Sequence, residues 1–352
     1  MAEKMMVKGN EAMAEAAVRA GCRLYFGYPI TPQSEFTEYM ARRMPEISGV
    51  FLQSESEVAA VNMVYGAACT GHRVMTSTSS PGFSLMQEGV SYIAGARLPT
   101  VFVNVVRGGP GLGDIQPAQS DYFQSTKGGG HGDYHMIVLA PGSIQEAVDL
   151  MESAFNLADT YRVPVMMLAD GMLGQMMEPV VFPDFVQLEG INDHAGWALR
   201  GTEGREHHKV TSFDIDPVNL EEMNIVLHKG YEEIKAKEVR FETSDLEDAE
   251  YVLVGYGTMG RILGSVVKMA RKQGIKVGLF RPISLWPFPY AELKAASKGM
   301  KFCLDVEMST GQMVEDVRLS VEGALPVHFY GRTGGMVPTP DEVLRELVRL
   351  IG

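Results

Sequence analysis

"TVFVNVV", Thr100 to Val106, is apolar on both of its alternating faces. A strand of that kind belongs in the middle of a sheet covered on both sides, and such sheets are mostly parallel. The same texture recurs on either side of it. "CRLYFGY" (Cys22 to Tyr28), "GVFLQ" (Gly49 to Gln53) and "VMTSTS" (Val74 to Ser79) precede it, and "HMIVLAP" (His135 to Pro141) and "VPVMMLAD" (Val163 to Asp170) follow. Helices fit between most of these runs. The clearest spans Ser143 to Tyr161: Ser143 and Glu146 have capping-box spacing, and Ile144, Ala147, Met151, Phe155 and Ala158 fall on one face. Strand alternating with helix predicts a doubly wound α/β domain over residues 1–170.

From Gly171 to residue 248 the period is lost. "MMEPVVFPDF" is extended and rich in proline, and the stretch from Asn192 to Pro217 reads as loop. Leu220, Met223, Leu227, Tyr231 and Ile234 then mark one amphipathic helix, so this segment is expected to be a connection with a helix of its own. A second α/β unit is expected over 249–352. Its strands are "YVLVGYG", "KVGLFRP", "KFCLDVE" and "VHFYGR". Met259, Ile262, Leu263, Val266, Val267 and Ala270 line its first helix, and its last helix starts near Pro340.

The bulk numbers narrow the function. The 352 residues allow two domains, and 45% hydrophobic content is ordinary for a globular protein. No apolar run reaches the roughly 18–20 residues of a membrane span. The first residues lack the apolar core of a signal peptide, so a cytoplasmic location is expected. A net charge of -13 argues against nucleic acid or an anionic membrane as partner. Cys22, Cys69 and Cys303 share no CxxC spacing, which removes support for a disulfide framework, a zinc knuckle or an iron–sulfur cluster on this chain. No metal site is expected.

One motif points toward a nucleotide. "GYGTMG", Gly255 to Gly260, matches GxGxxG after a strand and before a helix. The next strand ends on Arg281 rather than on an acid for a ribose hydroxyl, which leaves an NADP site as one reading and close packing as the other.

Three other features carry more chemistry. The stretch "QSESEVAAVNMVYGAACTG" opens a nearly all-apolar helix with Glu55 and Glu57, and Ser54 and Glu57 have capping-box spacing. A carboxyl there either serves the helix end or, desolvated, holds a shared proton. "GYPITP", Gly27 to Pro32, has two prolines around Ile30 and Thr31. Thr31 suits an N-cap with Pro32 at the first helical position, but that leaves Pro29 unexplained. Each proline pushes the residue before it toward extended geometry, which fixes the direction of a helix end able to bind an anion. Arg107 leaves a buried strand and enters the glycine-rich loop "RGGPGLG", either as a surface cation or as an anion anchor.

Together, "GYPITP", the stretch from Gln53 to Gly89 and the stretch from Asn104 to His135 resemble the α-type subunit of the 2-oxoacid:ferredoxin oxidoreductases. "LFRPISLWPFP" and "EMSTGQM" resemble the transketolase-C-terminal-like domain of the same subunit, so the resemblance covers nearly the whole chain. It implies two doubly wound domains, a thiamine pyrimidine-binding one followed by a transketolase-C-terminal-like one. It implies that Glu57, followed by Ala59, Ala60 and Gly66, hydrogen-bonds N1′ of the aminopyrimidine and favours the tautomer that deprotonates the thiazolium. Tyr28, Pro29, Ile30, Gly82 and Phe83 are then expected to line the cofactor, and Thr31 and Arg107 to hold the carboxylate of a 2-oxo acid.

The resemblance also says what lies elsewhere. The chain has no GDG followed by an asparagine ligand. A β-type partner is therefore expected to hold the diphosphate and Mg²⁺, with γ-type and ferredoxin-like δ-type partners completing the complex and the latter carrying electrons. The iron–sulfur clusters are expected on partner subunits. Coenzyme A and ferredoxin are the expected co-substrates. The loop from Gly108 to Lys127 is closer to the branched-chain (2-oxoisovalerate) subunits than to the 2-oxoglutarate ones, which usually carry Ser-Thr-Gly after Gly-Gly-Pro. A dicarboxylate would also want a second cation, and Lys127 is the one nearby. Neither Asp114 nor Lys127 has an assigned role in the sequence. His207 and His208 are expected in solvent, and His131 and His135 at a strand edge. An NADP-binding subunit and a non-catalytic scaffold are the competing readings.

Overall fold

A computed structural model of the chain describes residues 4–187 and 196–352. The first half runs β1 (Met5–Lys8), α1 (Gly9–Arg19), β2 (Leu24–Gly27), α2 (Ser34–Glu46), β3 (Val50–Gln53), α3 (Glu57–Ala68), β4 (Val74–Thr78), α4 (Pro81–Gly95) and β5 (Thr100–Val106). It continues through α5 (Tyr122–Thr126), β6 (Ile137–Leu139), α6 (Ile144–Tyr161), β7 (Pro164–Asp170), α7 (Gly171–Gln175) and β8 (Met177–Val180). Helix α8 (Pro217–Lys237) and strand β9 (Phe241–Ser244) lead to β10 (Tyr251–Val254), α9 (Gly257–Lys272), β11 (Val277–Pro282), β12 (Ser284–Trp286) and α10 (Tyr290–Ala296). The chain ends with β13 (Phe302–Glu307), α11 (Met313–Val321), β14 (Val327–Gly331) and α12 (Pro340–Ile351).

The first sheet has the order β12-β6-β7-β5-β4-β2-β3, parallel throughout except at β12. Its central strands β4, β5 and β7 are buried at every residue, as their two-sided apolar sequences require, whereas β3 at the edge is mostly exposed. The second sheet has the order β14-β13-β10-β11-β9, parallel except at β9. Both layers expected from the sequence are present, and all ten strand-like runs named above form strands.

Two strands cross the expected segment boundaries. β9, within the stretch read as connection, extends the second sheet antiparallel to β11. β12, from the second half, pairs with β6 at the edge of the first sheet. β1 and β8 form a separate antiparallel ribbon that sequence periodicity did not suggest, because each strand is only four residues long.

The alternation of a strand divides the core. Val252 and Val254 of β10 face a cluster shared with the first sheet, while Tyr251 and Leu253 face Leu263 and Val266 of α9 and Leu347 of α12. Each such aliphatic side chain contributes about 1.5–3 kcal/mol on full burial. The expected face of α9 is borne out, with Met259, Leu263, Val266, Val267 and Ala270 buried, whereas on α8 only Leu227, Tyr231 and Ile234 are buried; Met223 is half-buried and Leu220, nearer the helix start, is exposed.

Three local expectations are corrected. Ser56, not Ser54, caps α3: its Oγ accepts from the Ala59 amide at 3.2 Å. The helix begins at Glu57 itself, so this acid sits at the first helical position and cannot reach back as a capping-box partner. Thr31 is not the cap of α2, which begins at Ser34 after Gln33. The Gln33 amide bonds the Ile30 carbonyl, and that extra turn separates the prolines from the helix. Finally, α3 is not buried all round. Glu57, Ala60, Val61, Val64 and Ala68 face inward, but Val58 and Met63 are exposed.

Candidate active site

The C-terminal ends of β2, β4 and β5 bring the expected residues to one corner of the first sheet. Glu57 is 5% exposed. A Cβ at Gly82, in the first turn of α4, would lie 2.5 Å from Glu57 Oε1 and 2.1 Å from Thr78 Oγ1. Both oxygens therefore converge on the Cα of Gly82, and only glycine leaves them room. The Thr78 and Ser79 hydroxyls are buried without partners, and no donor among the described residues bonds the Glu57 carboxylate. A carboxylate without a protein donor, on a side chain this buried, suits a ligand that supplies one. An aminopyrimidine edge has the complementary chemistry, so these residues fit that group.

Ser80 enters α4 with φ 22°, an unusual backbone for a residue with a side chain. It is pinned from β5: its amide bonds Asn104 Oδ1 at 2.9 Å, and its Oγ accepts from the Arg107 amide at 3.0 Å. Asn104 in turn donates to Asp121 at 2.9 Å. Burial, the largest influence, raises the Asp121 carboxyl above its ordinary value, opposed by that Asn104 bond. Phe83 is fully buried, with its ring edge-on to Phe102 at 6.2 Å, so it belongs to the core under the corner.

The turn that holds Thr31 is clamped at its carbonyls. Gln33 Nε2 donates to the Tyr28 carbonyl at 3.4 Å. Asn10 and Gln175 both donate to the Pro32 carbonyl, at 2.8 and 2.9 Å. Arg107 Nη1 donates to the Thr31 carbonyl at 2.9 Å. Underneath, Tyr25 joins Ser77 (2.7 Å) and Thr37 (3.0 Å), and Ser77 donates to Gln33 at 2.7 Å. Burial pushes the Tyr25 phenol up to about 12, so it stays protonated. The two prolines are thus a small part of the stiffness; buried amides and hydroxyls supply the rest. Tyr28 and Pro29 are exposed on the rim, with Ile30 half-buried beside them.

Arg107 is 6% exposed, donates Nη1 to Thr31 and Nη2 to the Leu112 carbonyl at 3.0 Å, and keeps a buried, unpaired Nε. It has no carboxylate partner among the described residues. A buried guanidinium without a counter-ion suits an anionic ligand. A cleft of about 660 Å³ opens beside Thr31, between Ile115, Gln116, Gln175 and, from the second unit, Gly335 and Val337.

Other candidates lie apart. Lys127 is paired with Asp316 of α11 at 2.6 Å and is not a free cation. His135 stacks on Trp286 at 4.6 Å beside β6, which β7, β5 and β4 separate from β2. His131 and His207 are exposed, and His208, expected in solvent, is half-buried with Nδ1 at 3.0 Å from the Ala198 carbonyl. The glycines of "GYGTMG" serve packing. A Cβ at Gly260 would meet Arg281 Cδ at 2.4 Å, and the start of α9 lies against Gln119, whose Nε2 donates to the Tyr256 carbonyl at 3.0 Å. Arg281 is held by Glu146 and Glu242 at 2.6–2.9 Å, so it is not available to a nucleotide phosphate.

Sequence reasoning missed Asn10, Tyr25, Gln33, Ser77, Thr78, Asn104, Gln119 and Gly335. The run of hydroxyls "TSTSS" on an otherwise apolar strand was a signal for Ser77 and Thr78; the others have none.

Residues 15–235 match the family described as pyruvate flavodoxin/ferredoxin oxidoreductase, thiamine diphosphate-binding, and residues 249–343 match pyruvate:ferredoxin oxidoreductase core domain II. The chain is 50% identical over 347 residues to ketoisovalerate oxidoreductase subunit VorB of Methanothermobacter marburgensis, covering 99% of this chain and 98% of that one. It is 35% identical over 387 residues to 2-oxoglutarate synthase subunit KorA of Methanothermobacter thermautotrophicus, covering 99% and 100%. Among solved structures, 2-oxoglutarate:ferredoxin oxidoreductase from Magnetococcus marinus, with 2-oxoglutarate, coenzyme A and succinyl-CoA bound, superposes with a TM-score of 0.89 at 26% identity. All of this chain is covered, and it spans 66% of that one. A split-gene transketolase superposes over 97% of both chains with a TM-score of 0.62 at 15% identity, a likeness of fold alone.

Proposed function

The chain belongs to the pyruvate flavodoxin/ferredoxin oxidoreductase family, and from that premise we propose that it is the subunit of a multi-subunit 2-oxoacid:ferredoxin oxidoreductase that provides the pyrimidine half of a thiamine diphosphate site. The enzyme oxidatively decarboxylates a branched-chain 2-oxo acid to its acyl-CoA and passes the electrons to ferredoxin. The observation that carries this reading is the buried Glu57 carboxylate, set against the Gly82 Cα without a protein donor.

Thiamine diphosphate, when bound, supplies the nucleophilic carbon for the oxo group. Glu57 shares a proton with the aminopyrimidine ring, which sets the basicity of its amino group. Arg107 and the Thr31 turn receive the substrate carboxylate, and the clamps at residues 28, 31 and 32 keep that receptor rigid.

The branched-chain assignment is supported by the 50% identity to a ketoisovalerate oxidoreductase subunit against 35% to a 2-oxoglutarate synthase subunit. It is also supported by the pairing of Lys127 with Asp316, which leaves that lysine without a second carboxylate to bind. The exposed Val58, Met63, Leu85 and Tyr92 of α3 and α4, beside Glu57, suit cover by a β-type partner holding the diphosphate and Mg²⁺. Iron–sulfur clusters belong to partner subunits, a ferredoxin-like one among them, a reading supported by the three cysteines here being buried and far apart in sequence. Among the described residues no helix is long and apolar enough to cross a membrane.

The test is to purify the native complex and assay a panel of 2-oxo acids with coenzyme A and ferredoxin. 2-Oxoisovalerate should give the highest kcat/KM; a preference for 2-oxoglutarate or pyruvate would replace the substrate assignment. Turnover unchanged by Glu57→Gln in the complex would leave only the scaffold reading.

A further inference from the structure

The loop that follows Arg107 has almost nothing of its own to hold it. Residues 109–116 are exposed, and Leu112 at its tip is 80% exposed. With so little apolar burial, its position depends on a few backbone contacts. Within the loop, the Gly108 amide donates to the Gln116 carbonyl and the Asp114 amide to the Gly108 carbonyl, both at 2.9 Å. Asp114 Oδ1 accepts from the Gln116 amide at 2.7 Å. The Leu112 carbonyl then holds Arg107 Nη2.

The outer side of this loop rests on the second unit. Gly335 has φ +82°, and a Cβ there would lie 2.3 Å from Gln116 Cβ and 3.1 Å from Asp114 Oδ1. A Cβ at Gly108 would lie 3.2 Å from the Gly335 amide nitrogen. Immediately downstream, Gln119 is 2% exposed and engages the second unit through all its polar groups. Its amide donates to the Met308 carbonyl (2.8 Å) and its Oε1 accepts from the Met308 amide (3.1 Å). Its Nε2 donates to the Tyr256 carbonyl (3.0 Å), and its carbonyl accepts from the Tyr256 hydroxyl (3.1 Å). A line therefore runs from Gly335 through Gln116 and Asp114, along the backbone through Gly113, to the Leu112 carbonyl and the guanidinium.

We propose that the second unit sets the aim of the substrate-binding arginine, with Gly335, Asp114 and Gln119 as its positioning residues. The proposal rests on the reading of Arg107 as the anchor of the 2-oxo acid carboxylate. Added bulk at Gly335 pushes Gln116, shifts the Leu112 carbonyl and turns Arg107 away, and the corner around Glu57 is untouched.

Steady-state kinetics of the assembled complex with 2-oxoisovalerate test it. Gly335→Ala should raise KM for the 2-oxo acid about tenfold, with kcat within about twofold. KM for coenzyme A and the affinity for thiamine diphosphate should not move. Adding Gln116→Gly to Gly335→Ala removes the colliding Cβ, though not the backbone strain at φ +82°, and should return part of the loss. Asp114→Ala, at an exposed position that tolerates change, should raise the same KM even if Gly335→Ala does not fold. Unchanged KM in these variants, or a joint fall of kcat, cofactor affinity and Tm without rescue, overturns the proposal. Arg107→Ala separates the two levels. If it leaves KM unchanged, the reading of Arg107 itself is wrong; if it raises KM while the positioning variants do not, only the present inference fails.

Discussion

A glycine and an acid decide the chemistry at the residue scale. The Glu57 carboxylate has no protein donor among the described residues, and Gly82 is what leaves it room at the corner. Glu57→Gln keeps the shape and removes the shared proton, so kcat of the assembled enzyme should fall by about 10²–10⁴-fold, measured at saturating cofactor. Gly82→Ala should abolish turnover with the chain still folded, because its Cβ must displace Glu57 or Thr78; circular dichroism beside the assay distinguishes this from unfolding. The helix start alone left Glu57 as either a helix-end acid or a proton holder, and the family resemblance supplied the cofactor reading. The clamps of the Thr31 turn were not legible in the sequence, because Arg107 reaches the Thr31 carbonyl, and Asn10 and Gln175 the Pro32 carbonyl, from remote parts of the chain. A second buried acid has no place in the chemistry. Asp305 is fully buried and unpaired, and burial first, then the neighbouring Glu307 carboxylate, hold its carboxyl well above the ordinary value of 3.8. It keeps a proton on folding. Its stabilising share is complete below that ordinary value and is lost as pH rises through the folded one. Asp305→Asn should therefore flatten the decline of Tm as pH rises above that ordinary value, read by thermal unfolding.

At the scale of elements, the second α/β unit is joined to the first by shared pieces. Helix α6 is capped by Ser143, as its spacing implied, but Glu146 does not complete the box on Ser143. It bonds the Gly142 amide and reaches Arg281 of β11 with both oxygens, at 2.8–2.9 Å. Glu146→Ala leaves Arg281, 7% exposed, with only Glu242, and should cost about 3 kcal/mol in denaturant unfolding of the chain. The same contact explains why the GxGxxG match does not mark a dinucleotide site: its helix start is packed against the first unit and its arginine is paired. Titration calorimetry with NADPH should show no binding to the isolated chain. Sequence spacing could not separate these outcomes, because a glycine that admits a phosphate and one that admits an arginine side chain look alike.

Over the whole molecule, the cleft beside Thr31 is walled by both units, and the apolar faces of α3 and α4 beside Glu57 are open. The isolated chain should therefore bind thiamine diphosphate weakly and oxidise no 2-oxo acid, while adding the partner subunits should restore both. The sequence alone determined the two α/β units and ten of their strands, and it singled out Glu57, Thr31 and Arg107 as candidates. Periodicity and motif are local properties, written into consecutive residues by the pleat of a strand and the turn of a helix. Tertiary structure alone decided that β12 returns to the first sheet, that Gln33 rather than Thr31 precedes α2, and that Gly335 lies under the arginine loop. Those facts depend on contacts between residues far apart in the chain, where a hydrogen bond or a collision exists only once the fold has closed.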